Sequence, residues 1–145
     1  MTASIYVDGS GRPKGGFGWF VKETCESHYE RSGDDDDITN NQAEYMAVIS
    51  AIKHAHSKLG EEPYRDGVAI YSDSLVIVKQ LNHEYAINDD RLRELAREAW
   101  LELAKFDEHG GANGGLRSSS GGNPRRPTIV WIRRGENLAG KMLGS

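Results

Sequence analysis

The chain is predicted to fold as an α/β protein: a five-stranded mixed sheet in the order βββαβααβα, with helices packed on its faces. Three observations carry this reading. The first third is a series of short apolar runs broken by turn residues. Two later segments repeat apolar residues at helical spacing. A last apolar run near residue 130 then gives way to a short helical stretch.

The elements follow in order. SIYVDG is an apolar strand stopping at Asp8, and GSGRPKGG after it is dense turn chemistry. GGFGWFVKE and CESHYERSG are two further strands, separated only by Glu23 and Thr24; this implies a hairpin, although no Gly or Asn marks its turn. Thr39-Asn40-Asn41-Gln42 matches a capping box with Thr39 as N-cap. Tyr45, Val48, Ile49 and Ile52 then repeat at helical spacing, which predicts a helix from about Asn40 to Lys58. VAIYSD is the fourth strand, and SLVIVKQLN a short helix leaving its end. Asn88-Asp89-Asp90 caps a long amphipathic helix with Leu92, Leu95, Ala96, Ala99, Leu103 and Phe106 on one face. Residues 107–127 are rich in Gly, Ser, Pro and Arg without periodicity, and read as a flexible insert. TIVWIRR is the last strand and ENLAGKML the last short helix. No internal repeat is evident.

Composition bounds the class. At 145 residues the chain is expected to form one domain over 1–145, large enough for a core without staples. An apolar content of 37% with 28% charged residues is ordinary for a globular protein. No apolar run approaches the ~18–20 residues of a membrane span, and the N-terminus does not look like a signal peptide. Cys25, the single cysteine, cannot form an internal disulfide, so a reducing, cytoplasmic setting is expected. The formal net charge is −4, but four of the 22 acids lie in the run Asp34 to Asp37. The other 18 balance the 18 Lys and Arg residues, so overall charge does not select a partner.

Three carboxylates stand out by position. Asp8 ends the first strand, Asp73 ends the fourth, and Glu44 lies one turn into the first long helix. Ligands of open α/β sheets collect at strand carboxyl ends. If strands one and four are parallel neighbours, Asp8 and Asp73 meet there and the helix lays Glu44 over both. Such a cluster repels itself unless a cation shares it or its pKa values rise. Hard oxygen ligands without His or Cys point to Mg²⁺ or Mn²⁺. Each acid also has a plain alternative, as a turn residue, a helix cap or a solvated helix position.

IYVDGSG, TNNQAEYMAVISAI and YSDSLVIVKQLN occur in this order on the expected elements, and together they resemble the type 1 ribonuclease H family. The resemblance runs from Ile5 to about Leu143 apart from the insert. LNHEYAINDDRLRELAREAW resembles the form that lacks a basic protrusion. The resemblance implies a monomeric endonuclease that hydrolyses the RNA strand of RNA/DNA hybrids with two metal ions, Mg²⁺ or Mn²⁺, leaving 5′-phosphate products. By the same resemblance Asp8 bridges both ions, while Glu44 and Asp73 hold the ion nearer the leaving group. Gly9, Ser10 and Gly11 are expected near the RNA 2′-hydroxyls. Asn40 and Asn41 match positions that contact the hybrid in the minor groove; the alternative is ordinary N-terminal helix chemistry. Arg134 stands where protrusion-lacking relatives often carry arginine, as a ligand for the scissile phosphate or an aid to product release; otherwise it is a solvated strand-end charge.

The tail departs from the family pattern. The fourth carboxylate of the family lies in the last helix, in a pattern like N-x-x-A-D-x-L-A. Asn137 here leads into Leu138-Ala139-Gly140-Lys141-Met142-Leu143, which puts Lys141, or Gly140 after a one-residue slide, at the acid. Three readings stay open: a slower enzyme whose second ion relies on Asp8, phosphate and water; a substitute acid in Glu136; or a non-catalytic hybrid-binding module. A third functional class is a ribonuclease H-like domain of a larger polyprotein, although the initial methionine directly before the first strand suggests a free-standing protein. His28, His54, His56 and His83 are expected on the surface away from the site, and His109 belongs to the insert. Arg117, Arg125 and Arg126 make the insert either a plain loop or a phosphate clamp. The Asp34–Asp37 run lacks the spacing of a calcium loop.

Overall fold

The three N-terminal runs form an antiparallel meander: β1 (Ala3–Ser10), β2 (Gly16–Val21) and β3 (Ser27–Arg31). The structure is a computed structural model that describes residues 2–11, 15–31, 38–111 and 126–142. The runs Asp34–Asp37 and 112–125, with Arg117 and Arg125, and Leu143 therefore lie outside the described residues. β4 (Val68–Ser72) pairs parallel with β1, and β5 (Thr128–Trp131) pairs parallel with β4, giving the sheet order β3-β2-β1-β4-β5. The mixed five-stranded sheet and the βββαβααβα order agree with the sequence reading. Parallel neighbours require a crossover, and the helices α1 (Asn40–Ser57) and α2 (Leu75–Leu81) with α3 (Asp90–Gly111) supply it. A short helix, α4 (Leu138–Met142), closes the chain against β1 and β2.

The helices start where their caps say they should. Thr39 Oγ1 accepts from the Gln42 N–H, and Gln42 Oε1 accepts from the Thr39 N–H, a complete capping box at the head of α1. Ser74 Oγ accepts from the Ile77 N–H at the start of α2, and Asp89 Oδ1 accepts from the Leu92 N–H at the start of α3. The apolar stripes then meet. Tyr45, Val48, Ile49 and Ile52 of α1 and all six of the expected α3 residues are buried with Ile5, Val7 and Ile70 of the sheet. Tyr45 spends its hydroxyl on Gln80 Oε1 at 2.8 Å, so a full aromatic ring is buried without an unpaired polar atom. Truncating any of these large residues to Ala costs roughly 2–5 kcal/mol. Among the described residues no helix is long and apolar enough to cross a membrane.

Four details differ from expectation. β1 does not stop at Asp8 but pairs with β2 through Ser10, because Gly9 and Ser10 still find partners in Phe17 and Gly16. The β2–β3 connection spans 22–26 rather than two residues, and Cys25 takes the left-handed conformation (φ 63°) that a Gly or Asn would normally fill. α3 runs through Gly111, into the stretch assigned to the insert, and Arg126 pairs with Asp107 at the other end of that stretch. The fourth concerns histidine. His54 is not a surface residue: it stacks on Trp19 at 4.1 Å and its Nε2 lies 2.9 Å from the Tyr64 hydroxyl. His56 is also partly buried, edge-on to Phe106, whereas His28 and His83 are exposed as expected.

Candidate active site

The parallel β1–β4 pair brings the two strand carboxylates to one end of the sheet. Ala3 pairs with Val68 and Tyr6 with Tyr71, so Asp8 and Asp73 both follow at the same end of the pair. α1 crosses this end with its first turn. Gly9 allows the approach: a Cβ there would sit 2.5 Å from the Ala43 carbonyl carbon and 2.8 Å from the Glu44 nitrogen. Gly11 does the same one step on, where a Cβ would meet the Ile38 carbonyl oxygen at 2.1 Å. The Gly11 N–H donates to Asn40 Oδ1 at 2.7 Å, tying the strand exit to the helix start. The spacing of these glycines is thus a packing requirement, and Gly11 acts on the site by holding Asn40.

With the helix this close, Asp8, Glu44 and Asp73 each offer an oxygen within 4.8 Å of the others. They line an open cleft of about 660 Å³ together with Gly9, Ser10, Asn40, Arg134, Asn137, Gly140 and Lys141. Glu44 is the most constrained of the three. It is only 8% exposed, and its Oε1 has no hydrogen-bond partner among the described residues. Burial pushes its carboxyl up to about 9, Asp8 and Asp73 add to the rise, and Arg134 offsets part of it. A buried carboxyl oxygen without a donor, faced by two more acids, is the arrangement a divalent cation relieves. All-oxygen donors fit Mg²⁺ or Mn²⁺.

Asn137 is the residue that sequence reasoning used only as a landmark. Its side chain is buried, and its Nδ2 donates to the Val7 carbonyl at 2.8 Å and to Asp73 Oδ2 at 3.1 Å. Its Oδ1 accepts from the Ala139 N–H at 2.9 Å and starts α4. One amide therefore fixes the orientation of Asp73 and seats the last helix beside β1. Trp131 Nε1 adds a bond to the Asp73 carbonyl. No local pattern signals contacts that span 130 and 64 residues.

The other expected site residues divide. Arg134 lies in a 3₁₀ turn (Arg134–Glu136) between β5 and α4, exposed and lining the cleft. Asn41 is exposed on the first turn of α1 and does not line the cleft. Glu136 is turned back on its own loop, where Oε1 accepts from the Arg133 N–H at 3.3 Å, and it is not among the gathered carboxylates. Lys141 and Gly140 both line the cleft, so the tail reaches the site and places a lysine and a glycine there.

Comparison with known proteins agrees with this fold. The RNase H family model matches residues 2–106. A ribonuclease H from Chlorobaculum parvum is 35% identical over 107 residues, which is 72% of this chain and 64% of that protein. The chain thus spans less than two thirds of that relative's length. Among solved structures, RNase H1 of the halophilic archaeon Halobacterium salinarum is similar at a TM-score of 0.70 and 24% identity, covering 99% of this chain and 94% of the other. The N-terminal RNase H domain of a Mycobacterium tuberculosis protein follows at 0.69 and 21%, covering 98% and 89%. A ribonuclease H1 isolated from compost, solved in complex with an RNA/DNA hybrid, matches at 0.64 and 23%, covering 98% and 93%. At these identities the structures speak for the fold.

Proposed function

The chain belongs to the ribonuclease H family, and from that premise we propose that it is a metal-dependent endoribonuclease that hydrolyses the RNA strand of RNA/DNA hybrids. The observation that carries the proposal is the meeting of Asp8, Glu44 and Asp73 around a buried, unpaired Glu44 oxygen. The compost enzyme that shares the fold was solved holding such a hybrid, which supports the choice of substrate.

Asp8, Glu44 and Asp73 would hold Mg²⁺ or Mn²⁺. When bound, the ion polarises the phosphodiester and lowers the pKa of water for attack on phosphorus. Water adds to phosphorus as the bond to the 3′ oxygen breaks, leaving a 5′-phosphate and a 3′-hydroxyl. Asn137 keeps Asp73 turned toward the cleft by occupying Oδ2. Gly9 and Ser10 form the wall on which the RNA 2′-hydroxyls are read, and the Asn40 amide nitrogen supplies a donor beside them. Arg134 offers a planar donor set for the scissile phosphate. The resemblance calls for two ions, and the second would have Asp8, phosphate and water but no fourth carboxylate.

End-labelled RNA/DNA hybrid incubated with protein and Mg²⁺ or Mn²⁺ tests this reading beside Asp8→Asn. Wild type is expected to cut the RNA strand, and the variant to lose at least about 10³ of the rate, some 4 kcal/mol of barrier. An intact hybrid with both metals, or equal cutting by the variant, overturns it. A second reading is a hybrid-binding module without cleavage, favoured only by Gly140 and Lys141 at the fourth acid's place. Hybrid retained without cutting in the same experiment selects it.

A further inference from the structure

We propose that the Lys141 ammonium supplies the positive charge that a second divalent cation would otherwise bring, so that the protein works with one ion held by Asp8, Glu44 and Asp73. The inference rests on the nuclease reading and deepens it. Two features of the cleft carry it: the number of carboxylates that gather, and the element on which Lys141 rides.

Among the described residues, three acids and no fourth come together, and Glu136 is spent on its own turn. Three carboxylates make one complete cation site. Lys141 cannot coordinate a second cation, and its charge repels one. Its side chain is exposed and lines the cleft from α4. It rides on the short helix that Asn137 starts by accepting from the Ala139 N–H, and Asn137 is bonded to both Val7 and Asp73. Ala139 between them is fully buried, so α4 is seated and carries Lys141 into the cleft wall.

The charges close on one ion. Three carboxylates with one divalent cation leave a single negative charge, and Arg134 with Lys141 converts this to a single positive one. A phosphodiester brings one negative charge, so the occupied site is neutral. A second divalent cation would leave it with two excess positive charges. A lysine suits the task because its compact ammonium turns three donors toward phosphate oxygens without demanding a coordination geometry.

Two measurements test this. The first is the hybrid cleavage rate as a function of Mg²⁺ below saturation, for wild type, Lys141→Arg and Lys141→Asp. Wild type and Lys141→Arg are expected to follow the first power of Mg²⁺ concentration, and Lys141→Asp the second power. A second-power dependence in wild type, or a first-power one in Lys141→Asp, overturns the proposal. The second is fluorescence anisotropy of hybrid binding in metal-free buffer over a salt series. Lys141→Met is expected to weaken binding and to reduce the log–log salt slope by about 0.9, with Lys141→Arg restoring it. An unchanged slope in Lys141→Met overturns the phosphate contact. If wild type cuts no hybrid with any metal, the nuclease reading fails, while the anisotropy series still decides whether Lys141 meets phosphate.

Discussion

Helix α1 carries a polar cluster at each end, and each contains a glutamate, yet the two glutamates are treated oppositely. Near the C-terminal end, Glu26 accepts from the Tyr64 hydroxyl and Thr24 Oγ1, with His54 Nε2 at 3.4 Å and Lys58 Nζ at 3.5 Å. The Tyr64 hydrogen bond leads in holding its carboxyl down at about 2. Trp19 roofs the cluster by stacking on His54, and its own Nε1 is bonded to Ser50 Oγ at 2.9 Å. At the other end Glu44 meets two more acids and, among the described residues, no donor for Oε1, and its carboxyl rises to about 9. A satisfied polar network stabilises the fold it sits in, whereas a buried unsatisfied one costs stability until a ligand completes it. The difference separates a structural cluster from a working one without reference to any relative.

The sharpest way to break the comparison is to neutralise Glu44. Glu44→Gln is expected to lower hybrid cleavage by about 10³ and to leave the metal-free protein at least as heat-stable as wild type, because a carboxyl among carboxyls is lost. It also separates metal binding from folding. Mg²⁺ at about a hundred times its Kd is expected to stabilise wild type by about 2.7 kcal/mol, and Glu44→Gln by much less. Thermal melts with and without Mg²⁺ read both effects. A variant that melts lower than wild type without metal would place Glu44 with the structural cluster instead.

The opposite end should respond in the opposite way. Tyr64→Phe removes the donor to Glu26 and the partner of His54, and is expected to cost roughly 1–3 kcal/mol in urea unfolding with the cleavage rate unchanged at 25 °C. A loss of activity larger than the loss of folded protein would mean that the two ends of α1 communicate.

The smallest effect is a pH slope. Burial lowers the folded-state pKa of His54, and Glu26 is lowered from 4.5 to about 2. For both, the folded chain binds fewer protons than the unfolded one. Their contribution is therefore present above the unfolded values and lost on acidification: from about pH 6.5 downward for His54, and from about 4.5 toward 2 for Glu26. Because Glu26 is about one third exposed, its share is modest. Denaturation midpoints at pH 7 and 3.5 should fall less in Glu26→Gln than in wild type. Equal falls would remove Glu26 from the account.

The two ends of α1 also differed in how far the sequence revealed them. Asp8, Glu44 and Asp73 are legible because each sits beside a punctuation mark in the sequence: the glycines after an apolar run, a capped helix start, or the end of a strand, although β1 itself runs two residues past Asp8. The core was legible for a similar reason, since the α3 residues from Leu92 to Phe106 announce their face by spacing alone. Glu26, His54 and Tyr64 have no such mark. Tyr64 stands 38 residues from Glu26 and 10 from His54, at the start of a short 3₁₀ turn, and only the folded sheet makes them neighbours. A lone histidine on a helix gives no hint of the indole that covers His54, so its sequence context points to the surface. The β2–β3 turn was misjudged because Cys25 takes a backbone conformation that its side chain does not advertise. Asn137 belongs with these, a residue whose pattern was visible but whose reach was not.

That reach sets an order of events during synthesis. A ribosome releases Asp8, Glu44 and Asp73 early, and the sheet can pair β1 with β4 before the tail emerges. The amide that turns Asp73 toward the cleft arrives only with residue 137, as does the hook that draws α4 and Lys141 onto β1. A nascent chain lacking that amide would hold three acids without the bond that aims one of them. The proposed active site is thus completed last, by a residue bonded to a strand and to one of the three acids.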